Sequence, residues 1–372
     1  MTTDNTRPDR LYNLDYLRGL AAFAIMLFHY LILIETLANS DTMRSGILGL
    51  ILSRIGVYGV SVFYVLSGLT LYHVYFSSMK PSIVDVALFA KKRALRIFPL
   101  LWLATILTVM LGDNLPSVGD LAVILSGLFS IVKWKNNFPR GVWSIGNELV
   151  FYALFPVLVL ITKKSKALLA ITTIVFFSIY VYIAFVLITP GIMNRPRWRI
   201  YSNPLNQAFL FVGGYLIGHL ARNISVGKKT QLAALAFTLG VFTLYPTNID
   251  FTDLFSGPRR LVFTLCCIAT CFCFYKLTIK LPTFIHKPLT ALGEASYSLY
   301  LLHPVVFHTI EKYDAATQLH MNPAVRVSIS VVASLLVSYL SYHCFEKFFI
   351  RLGKHRNTQT VAATTLPQES SR

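Results

Sequence analysis

Acidic side chains are scarce in this chain. Only 16 Asp and Glu stand against 34 Lys and Arg, and charged residues of both signs fill 13% of the 372 positions. A soluble domain of ordinary composition carries about 25%, so the shortage excludes a water-facing globular surface. Cysteine is scarce too: four of the five residues, Cys266, Cys267, Cys271 and Cys273, fall in one apolar stretch. That placement excludes a disulfide framework, and its spacing matches no zinc pattern and includes no histidine, so no metal site is expected. No internal repeat of the kind that marks many transporters is evident. The first apolar run is too long for the core of a cleavable signal, and no soluble domain is expected at either end. Whatever chemistry the chain performs is therefore expected between helices.

What is present is apolar: 55% hydrophobic residues and a mean hydropathy of +0.60. Stretches near the length of about 20 residues that crosses a bilayer lie at 14–36, 55–78, 94–112, 143–162, 167–189, 204–221, 231–246, 260–279, 289–310 and 324–348. They predict an all-α, polytopic membrane helix bundle of about ten transmembrane helices. An eleventh stretch, 120–132, is short and contains Ser126 and Gly127, and reads as a re-entrant or interfacial segment. The positive-inside rule supports this count with both termini cytoplasmic. Predicted inner segments then hold Arg7, Arg10, Lys80, Lys91, Lys92, Arg93, Lys163, Lys164, Lys166, Arg222, Lys228, Lys229, Lys276, Lys280 and Lys287. Predicted outer loops hold most of the acids, including Asp41, Asp113, Asp120, Asp250, Asp253, Glu311 and Asp314. Residues 1–352 form one membrane domain on this reading, followed by a disordered cytoplasmic tail at 353–372.

The net charge of +18 is scattered over short loops, which excludes a nucleic-acid partner. One outer cluster, Arg195, Arg197 and Arg199 around Trp198, suits a lipid-headgroup anchor or contact with an anionic lipid or sugar phosphate.

Ionisable residues inside the first stretch are the strongest functional signal. Arg18 and His29 are eleven residues apart, so on an α-helix they share a face, roughly 16 Å apart along the axis. An Arg at the centre of a span costs about 2.5 to 3.5 kcal/mol on insertion scales and marks a candidate site. Asp15, one turn before Arg18, is placed to pair with it. Glu148, in the run Trp143-Ser144-Ile145-Gly146-Asn147-Glu148, enters its span from the predicted outer side at a depth that allows a contact with His29, which would make the imidazole a stronger base. Arg93 and Arg96, one turn apart, suit phosphate. In the stretch from Gly293 to Pro304, the hydroxyls of Ser296 and Tyr297 suit helix packing, and His303 beside Pro304 is a candidate site residue.

Taken in order, these segments resemble acyltransferase family 3, a family of integral membrane acyltransferases. The resemblance is carried by Asp15-x-x-Arg18-Gly19 with Arg18-x10-His29, by Gly59-Val60-x-x-Phe63-Tyr64-Val65-Leu66-Ser67-Gly68 and by Arg93-x-x-Arg96-Ile97-x-Pro99. Trp143-Ser144-x-x-x-Glu148-x-x-Phe151-Tyr152 and Ser296-Tyr297-Ser298-Leu299-Tyr300-Leu301-x-His303 complete it. It runs from about residue 11 to about 352. Tyr64 stands where the family usually has Phe, Leu302 where Trp is common, and Glu346-Lys347-Phe348 lacks a following proline.

The resemblance implies an O-acyltransferase that moves an acyl group, commonly acetyl from acetyl-CoA, to a hydroxyl of a cell-surface glycan or lipid-linked saccharide in a bacterial inner membrane. No bound cofactor is implied; acyl-CoA is a co-substrate, and membrane lipids are partners. His29 is expected as the base, tuned by Glu148, with Arg18 positioning the donor and Arg18, Arg93 and Arg96 holding its phosphates. Direct transfer and a covalent acyl-enzyme both remain open here. The rival class is a secondary transporter that uses Arg18, His29 and Glu148 as a relay.

Overall fold

In a computed structural model the chain is described over residues 11–38, 47–112, 116–134, 138–188, 194–247, 251–277, 279 and 281–355. Arg7, Arg10, Asp41, Asp113, Asp250, Lys280 and the tail beyond His355 lie outside the described residues. All regular structure among the described residues is helical. The order is α1 (Tyr12–Ala38), α2 (Ile47–Tyr75), α3 (Ile83–Leu111), α4 (Val118–Leu125), α5 (Phe129–Val132), α6 (Val142–Lys164) and α7 (Lys166–Tyr182), which ends in a π turn at Ile183–Leu187. There follow α8 (Arg195–Tyr201), α9 (Pro204–Ala221), α10 (Lys228–Leu244), α11 (Phe251–Phe255), α12 (Gly257–Lys276), α13 (Thr283–Glu294), α14 (Ser296–Thr317), α15 (Pro323–Ser341) with a π turn at Tyr342–Glu346, and α16 (Lys347–His355).

Local chemistry sets many of the boundaries. The hydroxyls of Ser82, Ser117 and Ser165 accept from backbone N–H groups in the first turns of α3, α4 and α7. Asn194, Asn203 and Asn322 do the same for α8, α9 and α15, each with a proline in the first turn, where its missing N–H costs nothing.

Among the described residues seven helical segments are long and apolar enough to cross a membrane: α1, α2, α3, α6, α7 with its π turn, α12, and α15 running on into α16. The outward faces of α7 and α15 expose Ile171, Ile174, Phe177, Val332, Leu336 and Leu340, as a lipid-facing surface requires. The other three expected spans are helical but differ. Helices α9 and α10 have 18 and 17 residues, at the short end of the range of about 17 to 25 that crosses a bilayer. The expected span 289–310 is not one helix, because the chain breaks at Ala295 between α13 and α14. At this break the backbone meets α1: a Cβ on Gly293 would lie 2.2 Å from the Asp15 carbonyl oxygen, and one on Gly19 2.7 Å from the Gly293 nitrogen. The segment 120–132 becomes α4 and α5, hinged at Gly127 with φ +78°; with 8 and 4 residues, neither is long enough to cross.

The most extensive helix pair among the described residues is α2 with α9. A Cβ on Gly214 would sit 1.9 Å from the Val65 carbonyl oxygen, and one on Gly68 2.0 Å from that of Phe211. Small residues thus bring two backbones together, the usual way for helices to gain packing in a membrane. Helix α6 closes on this pair through Phe151, which stacks on Phe211 and takes the edge of Tyr64, each with centroids 5.1 Å apart.

Basic residues gather at one end of the bundle. There Lys163 Nζ donates to the Met79 carbonyl over 2.6 Å, Lys276 Nζ to that of Arg222 over 3.2 Å, and Asn13 to that of Leu277. The start of α1 and the ends of α2, α6, α9 and α12 meet at this basic end.

Candidate active site

A narrow cavity runs inward from the basic end between α1, α2, α3, α6 and α14. Its walls include Arg18, Arg93, Arg96, Glu148 and Tyr152 toward one end, and Val60, Phe63, Ser144 and Tyr300 toward the other. Along α2 the lining extends from Val60 to Leu71, about 16 Å at the helical rise. The cavity is narrow, with a volume of about 90 Å³.

The charged end is ordered by close contacts. Asp15 Oδ1 accepts from Arg18 Nη1 at 2.8 Å, the pairing expected from their spacing. Arg93 donates to the Tyr75 hydroxyl at 2.7 Å and lies over the rings of Tyr75, Phe89 and Tyr152, 5.1 to 5.7 Å from their centroids. Tyr152 donates to Glu148 Oε2 at 3.0 Å. Arg96 faces the cavity. Glu346 and Glu148 act on it electrostatically, yet among the described residues it makes no hydrogen bond. Glu346 is buried in the π turn after α15, with Oε2 accepting from Ser298 at 2.8 Å.

The other end carries hydroxyls and imidazoles. Gly141, with φ +88°, caps α6, and its carbonyl accepts from Ser144 at 2.9 Å and from Tyr300 at 3.2 Å; the two hydroxyls lie 2.7 Å apart. One ring beyond Tyr300, 6.3 Å between centroids, is His303. His303 Nε2 lies 2.8 Å from His29 Nδ1, and the two rings meet edge to edge and nearly coplanar, with centroids 5.1 Å apart and an interplanar angle of 14°.

The expected contact between His29 and Glu148 does not form. Gly141 and Ser144 mark the level of the histidines on α6, and Glu148 lies a full turn deeper, among the arginines. It shares the cavity with Arg18, Arg93 and Arg96. Ser296 and Tyr297 also line the cavity while bonding to backbone: Ser296 Oγ to the Gly293 carbonyl at 2.8 Å, and the Tyr297 hydroxyl to that of Ile97 at 2.9 Å. Trp143 points elsewhere, buried against Trp198 and Tyr201 at 5.2 and 5.6 Å. Sequence reasoning gave no separate role to Tyr152 or Tyr64, although both stand in quoted motifs, and it read the Tyr300 hydroxyl as one that can hydrogen-bond across helices. It gave none to Glu346, whose π turn has no local sequence signature. Among the described residues no cluster of three or more His, Cys, Asp or Glu side chains suits a metal ion.

Chemically, the arrangement offers guanidinium groups for an anion at one end of the cavity and hydroxyls at the other, with an imidazole pair packed beside Tyr300. A family model described as an acyltransferase domain matches residues 11–343. The exopolysaccharide production protein ExoZ of Rhizobium meliloti (strain 1021) is 26% identical over 313 residues, covering 81% of this chain and 92% of that protein. A Staphylococcus aureus (strain COL) protein provisionally named O-acetyltransferase SACOL0978 is 20% identical over 371 residues, covering 91% of this chain and 57% of its own length. The chain thus spans little more than half of that relative. No solved structure matches it.

Proposed function

Because the chain belongs to acyltransferase family 3, we propose that this membrane acyltransferase moves an acyl group, acetyl foremost, from acyl-CoA to a hydroxyl of a cell-surface polysaccharide or lipid-linked saccharide. The observation that carries this reading is one cavity lined by Arg18, Arg93 and Arg96 and, further along, by Ser144 and Tyr300, with His303 packed beside Tyr300 and against His29. The linear pantetheine arm of CoA is the part of the donor that enters between the helices, and the bulkier nucleotide stays outside. The nucleotide phosphates then stay at the basic end, held by Arg18, Arg93 and Arg96, and the thioester reaches the histidines. Planar guanidinium forks suit phosphate oxygens. Asp15 fixes the orientation of Arg18, and Glu148 and Glu346 offset the cluster's charge within the bundle.

At the far end His29 is the general base. It takes the proton of the acceptor hydroxyl as that oxygen attacks the thioester carbon; the CoA sulfur then leaves and receives the proton from His29. The balance is one alcohol and one thioester in, one ester and one thiol out. The names of the two relatives, exopolysaccharide production and O-acetyltransferase, support a saccharide hydroxyl as acceptor, and their bacterial sources support a bacterial inner membrane with the basic end cytoplasmic.

The test is release of free CoA from acetyl-CoA by the protein in lipid nanodiscs, with a crude cell-surface glycan fraction as acceptor. Acceptor-stimulated release that disappears in Arg18→Ala and His29→Ala is expected. Absence of both release and acetyl-CoA binding under every acceptor condition would favour transport instead.

A further inference from the structure

We propose that His303 is a positioning residue that fixes the tautomer of His29, so that the basic atom is His29 Nε2; this rests on the reading of His29 as the base. The assignment follows from which atoms can donate. His303 Nδ1 lies 2.9 Å from the Leu299 carbonyl oxygen, and a carbonyl only accepts, so Nδ1 carries the hydrogen. In a neutral ring His303 Nε2 is then an acceptor. It faces His29 Nδ1 at 2.8 Å, so His29 Nδ1 must donate, and His29 Nε2 keeps the lone pair. Among the described residues nothing hydrogen-bonds to that nitrogen.

The surroundings hold this arrangement from several sides. Pro304 has no N–H, so the Tyr300 carbonyl lacks its helical partner. Tyr30, next to His29 in the chain, donates to the His303 carbonyl over 2.9 Å, and its hydroxyl lies 2.5 Å from Ser334 Oγ. Helices α1, α14 and α15 are thereby tied together around the imidazole pair, and His303 is 1% exposed. In hydrolase triads a carboxylate orients the histidine; here a second imidazole, itself oriented by a backbone carbonyl, takes that place. When His29 gains a proton, its bond to His303 becomes charge-assisted and shortens.

The experiment compares turnover and donor KM in nanodiscs for wild type, His29→Ala, His303→Gln and His303→Asn, each normalised to folded protein. Glutamine puts a carbonyl oxygen where His303 Nε2 lies. Asparagine keeps a donor for the Leu299 carbonyl but has no atom reaching His29. The expected result is that His303→Gln keeps kcat within a small factor of wild type, whereas His303→Asn loses about 100-fold or more, the order that misorienting a base costs, with donor KM unchanged. Wild-type kcat in His303→Asn, with His29→Ala inactive, would overturn the positioning role and leave the base intact. Equal loss in folded Gln and Asn variants would also overturn it, because a fixed acceptor would then not suffice. Full activity in His29→Ala would instead remove the base reading itself. Nitrogen NMR of histidine-labelled wild type, with the His29 signals assigned by their loss in His29→Ala, needs no His303 variant. A protonated Nδ1 and a bare Nε2 are expected; the reverse would overturn the inference.

Discussion

At the basic end of the cavity Arg18, Arg93 and Arg96 crowd around Glu148 and Tyr152, whereas the far end carries Ser144 and Tyr300, with two imidazoles packed beyond Tyr300. The first region is ionic and lies near the loops that carry the lysines. The second is built from neutral groups that exchange or share protons, and Arg140 is the charge that acts on both histidines there. Guanidinium groups hold their charge and grip phosphate, while imidazole changes protonation near neutral pH. Under the proposed function the contrast places donor binding at one end and proton chemistry at the other, and the cavity lining between them extends about 16 Å along α2.

The sharpest way to break that division is His29→Ala. Loss of a general base costs about 10²- to 10⁴-fold in kcat, and acetyl-CoA affinity should stay at the wild-type value; calorimetric binding alongside CoA-release kinetics checks both. Next in size is Arg96→Ala. A hydrogen bond to a charged group contributes about 1.5 to 3 kcal/mol, so donor KM should rise roughly 10- to 100-fold with little change in kcat at saturating donor. Arg96→Lys should restore only part of the loss, because an ammonium lacks the planar fork. Raising salt from low to physiological ionic strength, where the screening length falls to about 8 Å, should raise donor KM a few-fold and leave saturated kcat unchanged; an equal fall in both would mean that the two ends are not separate. The smallest effect is expected for Tyr300→Phe, which removes the hydroxyl shared with Ser144 and the Gly141 carbonyl. About 1 kcal/mol of stability should be lost, measurable as a lowered midpoint in thermal unfolding, with donor KM unaffected.

Much of this division was legible in the sequence because it follows local spacing. Asp15 and Arg18 pair as their one-turn separation requires, and the helices fall where the apolar stretches lie. What escaped was contact between helices distant in sequence. Glu148 was assigned to His29 from estimated depth, but depth does not specify which neighbour a helix face meets, and the true partner, His303, lies 274 residues from His29. The break at Ala295 escaped for a related reason: the close approach of Gly293 to Asp15 is visible only once α1 is packed beside it. Glu346 reaches Ser298 from a π turn, a register shift that a 3.6-residue period does not foresee.

The measurement that tests the division most directly is acetyl-CoA binding and single-turnover transfer in the same nanodisc preparation, comparing Arg96→Ala with His29→Ala. The expected result is weakened binding with near-normal transfer at saturation for the arginine variant, and normal binding with no transfer for the histidine variant. Loss of binding in both variants, or transfer at the wild-type rate in His29→Ala, would contradict the assignment of binding to one end and chemistry to the other.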